Sequence, residues 1–217
     1  MIAVIQCAAK KCCDAGHLRR QGGTKVMFVA EPADAPPDPG CVFAHFDDVS
    51  DDGATWRQVL VRDNANPGNN PLDLVSAFEL YKNAAYRGLV KELGAYKVYI
   101  LSAGWGLIGA SFLTPDYDIT FSARTKQDAP WKFRGKGDYY EDLCHLAADT
   151  AEPVVFFGGK DDVPLFCKLT QGIRSRRTIL YRASDKAGGK ASKPPKAPAV
   201  CCGDFRLPAG LTGTMNA

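Results

Sequence analysis

The sequence lacks most of the features that identify a function directly. No apolar run reaches the roughly 18 to 20 residues that a membrane-spanning helix requires. The chain has three histidines, His17, His45 and His145, and none accompanies a G-x-S-x-G motif, so no Ser-His-Asp hydrolase is indicated. The phosphate-binding motif G-x4-GK[ST] is also absent. The 217 residues are 46% hydrophobic, however, which is enough for the core of one domain.

Eight cysteines are present, but their spacing does not predict a metal site. Cys7 and Cys12 have only the adjacent pair Cys201 and Cys202 as a counterpart, whereas structural zinc sites use two separated pairs. We therefore predict free thiols in a reducing compartment, with no metal and no other cofactor. The N-terminal apolar segment precedes its positive charges, the reverse of a signal peptide, which favours a cytoplasmic protein without membrane contact.

The net charge of +3 is concentrated in one segment. Residues 182–217 contain six lysines and arginines but two aspartates, so the first 181 residues are close to neutral. The abundance of lysine, proline, glycine and alanine in 182–217 predicts a disordered tail after a single domain at 1–181. Such a tail either attracts nucleic acid in a salt-sensitive manner or is merely solvated.

Short apolar segments alternate with helical patterns along residues 1–181. The predicted strands are Met1–Gln6, Lys25–Ala30, Val42–Phe46, Val98–Leu101, Pro153–Phe157 and Thr178–Tyr181. Helices are expected at 55–61, 71–93, 138–149 and 163–169, the second of them capped by Asn70 and ended by Gly94. This alternation predicts an α/β domain with a layered, mostly parallel sheet flanked by helices.

The segment 98–121 carries the clearest prediction of a ligand site. An apolar strand stops at the turn Ser102-Ala103-Gly104-Trp105-Gly106 and is followed by Pro115-Asp116-Tyr117-Asp118. Open α/β sheets bind ligands at the carboxyl ends of their strands, and glycines such as Gly104 and Gly106 allow a ligand close to the backbone. Trp105 and Tyr117 offer flat faces, which favour a nucleobase over an apolar ligand.

Three side chains of this segment are candidates for catalysis. In an extended backbone Asp116 and Asp118 lie on one face, where one carboxylate acts as a base and the other orients it. Ser102 is a candidate phosphate ligand. Structural alternatives remain open, since Asp118 also fits a turn cap and Ser102 also fits a hydroxyl that satisfies a backbone N–H at the strand end.

Two other strand ends add candidate binding residues. Gly159 and Lys160 follow a buried strand and precede a helix, a geometry that binds anions, and Lys10 and Lys160 are expected to contact phosphate. Cys7 ends the first strand beside Lys10, where it is either a nucleophile or a small residue packed under the loop. A nucleic-acid surface is predicted from Arg124, Lys126, Lys132, Arg134, Arg174, Arg176 and Arg177. Residues 122–137 equally fit a flexible surface loop.

Three blocks of sequence together resemble a known family. They are Cys7-Ala8-Ala9-Lys10-Lys11-Cys12, the run ILSAGWGLI followed by PDYDITF, and VVFFGGKDDVPLF. The chain thereby resembles the YaaA-like group of bacterial and phage proteins, which includes the peroxide-stress DNA-binding protein YaaA and is distantly similar to a domain associated with tRNA-guanine transglycosylases. The resemblance covers about residues 1–12 and 72–180.

The resemblance implies an α/β fold that handles nucleic acid or modified bases. It implies a site built from Cys7, Lys10, Ser102, Gly104, Trp105, Gly106, Asp116, Tyr117 and Asp118, with Gly159 and Lys160 nearby. The expected partner is nucleic acid, DNA before RNA, or a free nucleotide.

Three functions follow as alternatives. The first is an enzyme that releases a base from DNA or a nucleotide with the help of an aspartate. The second is a non-catalytic DNA-binding protein of the oxidative-damage response, whose binding weakens steeply with salt. The third is a nucleotide-sensing module of a phage-defence system, which binds a nucleotide without turning it over.

Overall fold

A central sheet with helices beside it forms the framework of the domain. The structure is a computed structural model, and it describes residues 1–12, 15–123 and 125–181, together with the backbone of 199–201. The strands are β1 (Ile2–Gln6), β2 (Lys25–Phe28), β3 (Cys41–Ala44), β4 (Val75–Ser76), β5 (Val98–Ser102), β6 (Gly106–Gly109), β7 (Leu113–Thr114), β8 (Leu143–Cys144), β9 (Val154–Gly158), β10 (Arg177–Tyr181) and β11 (Ala199–Cys201). The α-helices are α1 (Trp56–Asp63), α2 (Ala77–Leu80), α3 (Ala84–Leu93), α4 (Thr125–Asp128) and α5 (Val163–Leu169).

The strands of the main sheet follow the order β11-β10-β9-β1-β5-β6-β8. Strands β10, β9, β1 and β5 are parallel, while β6 is antiparallel to β5 and β11 is antiparallel to β10. The chain passes from β1 to β5 on one side and later reaches β9 on the other side, so the strand order reverses next to β1. Because β1, β5 and β9 are parallel, their carboxyl ends lie along one edge of the sheet, which we call the carboxyl edge. This mostly parallel sheet confirms the predicted α/β domain.

Burial explains why the central strand β1 is apolar. Ile2, Ala3 and Val4 are at most 7% exposed, as expected for a parallel strand with neighbours on both sides. Phe156 of β9 stacks on Phe166 of α5 with ring centroids 4.8 Å apart, which fastens the helix that follows the carboxyl edge. The six predicted strands are all present, with ends within two residues of the prediction.

The predicted helix at 71–93 is wrong over its first half. The Asn70 side chain accepts a hydrogen bond from the Leu74 N–H and closes a turn instead of capping a helix. The chain then forms β4 and the short α2, and it becomes extended at Tyr81 before α3 begins. The reason is tertiary, because Lys11 pairs with Tyr81 in an antiparallel bridge that requires extended backbone there.

The predicted helix at 138–149 is also wrong. Leu143 and His145 donate backbone hydrogen bonds to the carbonyl groups of Trp105 and Leu107, so this segment adds β8 to the edge of the sheet beside β6. The helical pattern in the sequence is therefore overridden by pairing with a strand that lies far away in the chain.

A second, two-stranded parallel sheet is formed by β2 and β3. Phe28 at its end pairs with Tyr117 in a parallel bridge, and this places the segment 115–121 against the main core. The aromatic rings of Phe28, Phe46 and Trp105 meet there with centroids 4.6 to 5.3 Å apart. This cluster connects the small sheet to the turn that follows β5.

The C-terminal segment 182–217, predicted to be a disordered tail, is described only at residues 199–201. Residues 199–201 pair with β10, while the predicted disorder of the rest of 182–217 falls outside the described residues. Within the described part of the chain, every helix is too short or too polar to cross a membrane.

Candidate functional site

The carboxyl edge brings together residues from three separate blocks of the sequence. Cys7 follows β1 and donates its backbone N–H to the carbonyl of Leu101 in β5. The backbone N–H of Gly159, after β9, donates to the side-chain oxygen of Gln6. Gly158 has no room for a side chain, because a β-carbon would overlap the Phe156 ring and lie 2.9 Å from the Gln6 oxygen. The two glycines thus let β9 approach the end of β1 closely.

A buried network of hydroxyl groups lies beside Cys7. The Ser102 hydroxyl is 2.9 Å from the Tyr117 hydroxyl, which is 2.6 Å from the Tyr81 hydroxyl. The Lys11 ammonium lies 4.2 Å from the centre of the Tyr117 ring and donates to the Tyr117 carbonyl. Ser102 also accepts hydrogen bonds from the N–H groups of Gly104 and Trp105, so it closes the turn after β5.

Burial keeps the acidic groups of this network protonated. Removal from water raises the pKa of Tyr117 and of Tyr81 well above their ordinary values. Burial raises the pKa of the Cys7 thiol as well, and the nearby charge of Asp162 adds to the effect. Because the thiolate is the nucleophilic form, this environment argues against the depressed pKa that a nucleophilic Cys7 requires and favours its packing role.

Asp162 is a buried carboxyl at the carboxyl edge whose pKa is raised. Its side chain is 9% exposed, and burial together with the neighbouring charge of Asp161 raises its pKa to about 6. The surface carboxyl of Asp161 instead pairs with Lys136 at 2.8 Å. Asp162 is thus suited to exchange a proton near neutral pH, and it lies in the third sequence block, next to Gly159.

Replacing Asp162 with asparagine is expected to stabilise the fold at neutral pH. The carboxyl pKa is 3.8 ordinarily and about 6 in the folded protein, so folding becomes less favourable as pH rises between these two values. We expect the variant to gain about 3 kcal/mol in unfolding free energy above this window and almost nothing below it. Urea unfolding of both proteins across the window measures the difference. An equal gain at all pH values contradicts the assignment, and Asp118→Asn, at a half-exposed aspartate, is the control.

Several predicted site residues lie in the core instead of facing a ligand. Trp105 is 0% exposed and Tyr117 is 1% exposed, so neither ring stacks on a base in this structure. The prediction for Gly104 is corrected in the same way, because the Phe46 ring occupies the space where its β-carbon would be. Gly106 has a φ of 90° and lies against the backbone of Leu143, which leaves no room for a ligand.

Asp116 and Asp118 share one side of the chain, as predicted, but they lie apart from the buried network. Side chains alternate in extended backbone, so both carboxylates lie opposite the inward-facing Tyr117. Asp118 is half exposed and 2.5 Å from the Lys132 ammonium. Asp116 accepts the N–H of Tyr117, which is a local turn role. Neither carboxylate converges with Ser102 on a common point.

The predicted basic surface is divided by the structure. Arg134 is 2% exposed and pairs with buried Asp142, so its assignment to an accessible nucleic-acid surface is corrected. Arg177 is partly buried and donates to the Thr170 carbonyl. Exposed side chains are Lys10, Lys126, Lys160, Arg174 and Arg176. Arg124 lies outside the described residues.

A cleft of about 260 Å³ opens between α5 and the loop that follows Arg134. Its lining residues are Phe121, Arg134, Lys136, Gly137, Asp138, Tyr139, Asp161, Pro164, Leu165 and Lys168. Arg134 holds the carbonyl of Ala103 just after β5, and Asp161 follows β9, so the cleft lies at the carboxyl edge. Among the described residues, no three histidine, cysteine or acidic side chains are grouped to hold a metal.

Sequence reasoning missed four residues that the structure places at this edge: Lys11, Tyr81, Asp162 and Tyr139. Lys11 and Asp162 lie inside the blocks that carry the family resemblance, one and two residues from predicted positions, so the blocks contained the signal. Tyr81 and Tyr139 had no such signal, because only tertiary contacts bring them to the site.

Comparison with protein-family models, with curated proteins and with solved structures finds no match to this chain.

Proposed function

We propose that the protein acts on a nucleotide or nucleic acid and releases a base by cleaving its N-glycosidic bond. The observation that carries the proposal is Asp162, a 9% exposed carboxyl whose pKa is raised to about 6. It lies after β9, where the strand order reverses and α/β sheets bind their ligands. We assign to Asp162 the acid–base role that the sequence predicted for Asp116 and Asp118, because neither of those carboxylates approaches the buried network.

The chemistry requires one proton donor at this position. Asp162 transfers its proton to the leaving nitrogen of the base while the C1′–N bond breaks and its electron pair remains on that nitrogen. Water adds to C1′, and the proton that it loses restores the Asp162 carboxyl. The products are the free base and the sugar, and no oxidant or metal enters the balance. Polar groups oriented in advance around the reacting atoms lower the barrier further.

The family resemblance supports the same placement. The blocks that resemble the YaaA-like group contain Cys7, Ser102 and Gly159, and these three residues lie at one edge of the sheet. We therefore also propose that the chain is related to that group, whose members are associated with DNA and with modified bases. Sequence blocks that converge at one place are the pattern expected of a shared site.

The test is a search for released bases by mass spectrometry. Wild-type protein is incubated with single-stranded and duplex DNA that contains ordinary and modified bases, and with free nucleotides. We expect release by the wild type and a loss of about 10² to 10⁴-fold in Asp162→Asn, the usual contribution of a positioned acid. Asp118→Asn is the matched control and should retain activity.

Two outcomes contradict this proposal. The first is the absence of released base from every substrate, and if binding that weakens with salt persists, the DNA-binding alternative remains. The second is undiminished activity in Asp162→Asn together with its loss in Asp118→Asn, which returns the chemistry to the exposed aspartate.

A further inference from the structure

We propose that the cleft between α5 and the loop 134–139 binds one nucleotide unit of a single strand, with its phosphate on Lys136 and Lys168 and its base on the ring of Tyr139. The assignment rests on the proposed function for its ligand class, but not on any cleavage. Nothing in the sequence blocks pointed to these three residues, which meet only in the folded chain.

Arg134, which lines the cleft, has a buried hydrogen-bond donor without an acceptor among the described residues. Arg134 is 2% exposed and uses both terminal nitrogens, one on Ala103 and both on the carboxylate of Asp142. Its Nε–H has no partner among the described residues. A buried donor in this state is costly, and an acceptor oxygen that enters the cleft would relieve the cost. The unpaired donor of Arg134 therefore favours an anion or a carbonyl group as a ligand of the cleft.

The two lysines at the rim are available to an incoming anion. Lys136 is 46% exposed and pairs with Asp161 at 2.8 Å, and Lys168 is 42% exposed and lies 3.5 Å from Asp142. Ion pairs exposed to this extent contribute little, so a phosphate can replace Asp161 as the partner of Lys136. Lys168 lines the same cleft as Lys136.

The charge of the cleft limits the ligand to a single negative charge. Arg134, Lys136 and Lys168 are opposed by the lining carboxylates of Asp138 and Asp161, and buried Asp142 stands directly behind Arg134. The surroundings are thus close to neutral in total. One phosphodiester charge is tolerated there, whereas the several charges of a nucleoside triphosphate meet repulsion from the carboxylates.

Tyr139 supplies the surface for the base. Its side chain is 81% exposed, the largest exposure among the aromatic residues of the described chain, and Lys168 lies 5.3 Å from the centre of its ring. An exposed ring beside a cation is how proteins hold single-stranded nucleic acid without reading its sequence. Trp105 and Tyr117, which were predicted to stack on the base, are buried, whereas Tyr139 is exposed and available for stacking.

The experiment measures binding of a fluorescein-labelled single-stranded oligothymidylate by anisotropy at two salt concentrations. We expect Tyr139→Ala to weaken binding at least fivefold and Tyr139→Phe to bind like the wild type, because stacking needs only the ring. Lys136→Ala and Lys168→Ala should weaken binding and each lower the slope against log salt by about 0.7. Competition with thymidine monophosphate shows whether the strand or the free nucleotide is preferred.

The matched control is Lys91→Ala, an exposed lysine in the last turn of α3. Equal binding by Tyr139→Ala and the wild type overturns the proposal, as does a loss in Lys91→Ala as large as in Lys136→Ala. The two proposals fail separately. Binding that depends on Tyr139 without base release rejects only the cleavage, while base release that Tyr139→Ala leaves unchanged rejects only the cleft.

Discussion

Replacing Gly106 with alanine is expected to cost about 3 kcal/mol or more of unfolding free energy. Gly106 begins β6 with a φ of 90°, a conformation that residues with a β-carbon rarely adopt. A β-carbon there would lie 2.7 Å from the Leu143 nitrogen and still closer to the Leu143 carbonyl oxygen. These are backbone atoms of β8, paired with β6, so the neighbour cannot move aside without breaking the sheet edge.

The control for this prediction is Gly109→Ala in the same strand. Gly109 has no atom within 4 Å of the β-carbon position and no positive φ, so the change should alter stability by less than about 1 kcal/mol. Urea unfolding followed by circular dichroism gives both values. If the two variants are equally stable, the fold does not require Gly106. That result would instead favour the earlier prediction that Gly106 allows a ligand close to the backbone.

Removing the Arg134 side chain by Arg134→Met is expected to destabilise the protein by about 3 to 5 kcal/mol. Arg134 and Asp142 are 2% and 1% exposed and form two hydrogen bonds at 2.8 and 2.7 Å. The substitution leaves a buried carboxylate whose remaining ion-pair partner within the described part of the chain is Lys168, at 3.5 Å. It also removes the donor to the Ala103 carbonyl and the cation that lies 3.7 Å from the centre of the Tyr140 ring.

An exposed ion pair provides the comparison. Arg62 and Asp52 lie 2.5 Å apart with side chains 60% and 42% exposed, so Arg62→Met should destabilise the protein far less than Arg134→Met does. The double variant Arg134→Met, Asp142→Leu should recover part of the loss, because it no longer buries a single charge. If Arg134→Met is as stable as the wild type and binds DNA more weakly, the result would instead support the original prediction that Arg134 lies on a nucleic-acid-binding surface.

Part of the candidate site was predictable from the sequence. The positions Cys7, Ser102 and Gly159 follow apolar strands, and strand ends of a parallel sheet meet at one edge, so their proximity was foreseeable. Asp118 was the more conspicuous carboxylate because it follows an aromatic residue in the segment Pro115-Asp116-Tyr117-Asp118. The structure instead places it beside Lys132, and the carboxyl in the low-dielectric position is Asp162.

The difference arises from burial, which sequence patterns do not report for polar groups. Trp105 is one example, since it looks like an exposed aromatic residue between two glycines but is 0% exposed and packs against Phe46 and Phe28. Arg134 looks like a surface cation in a polar segment but is held by Asp142. In both cases a contact from another part of the chain decides which face is covered.

By itself, the sequence determined the α/β class, the six strands first predicted and the strand ends at which the site forms. These depend on hydrophobic runs and glycine turns, which are local properties of the chain. The tertiary structure alone decided which side chains of those blocks are accessible and which are buried. Lys11 and Tyr117 are separated by 106 residues, and Arg134 and Ala103 by 31, so the electrostatics of the site exist only once the chain has folded. Burial raises the pKa of Asp162, and folding places Tyr139 at the cleft, because both depend on what surrounds a residue in space.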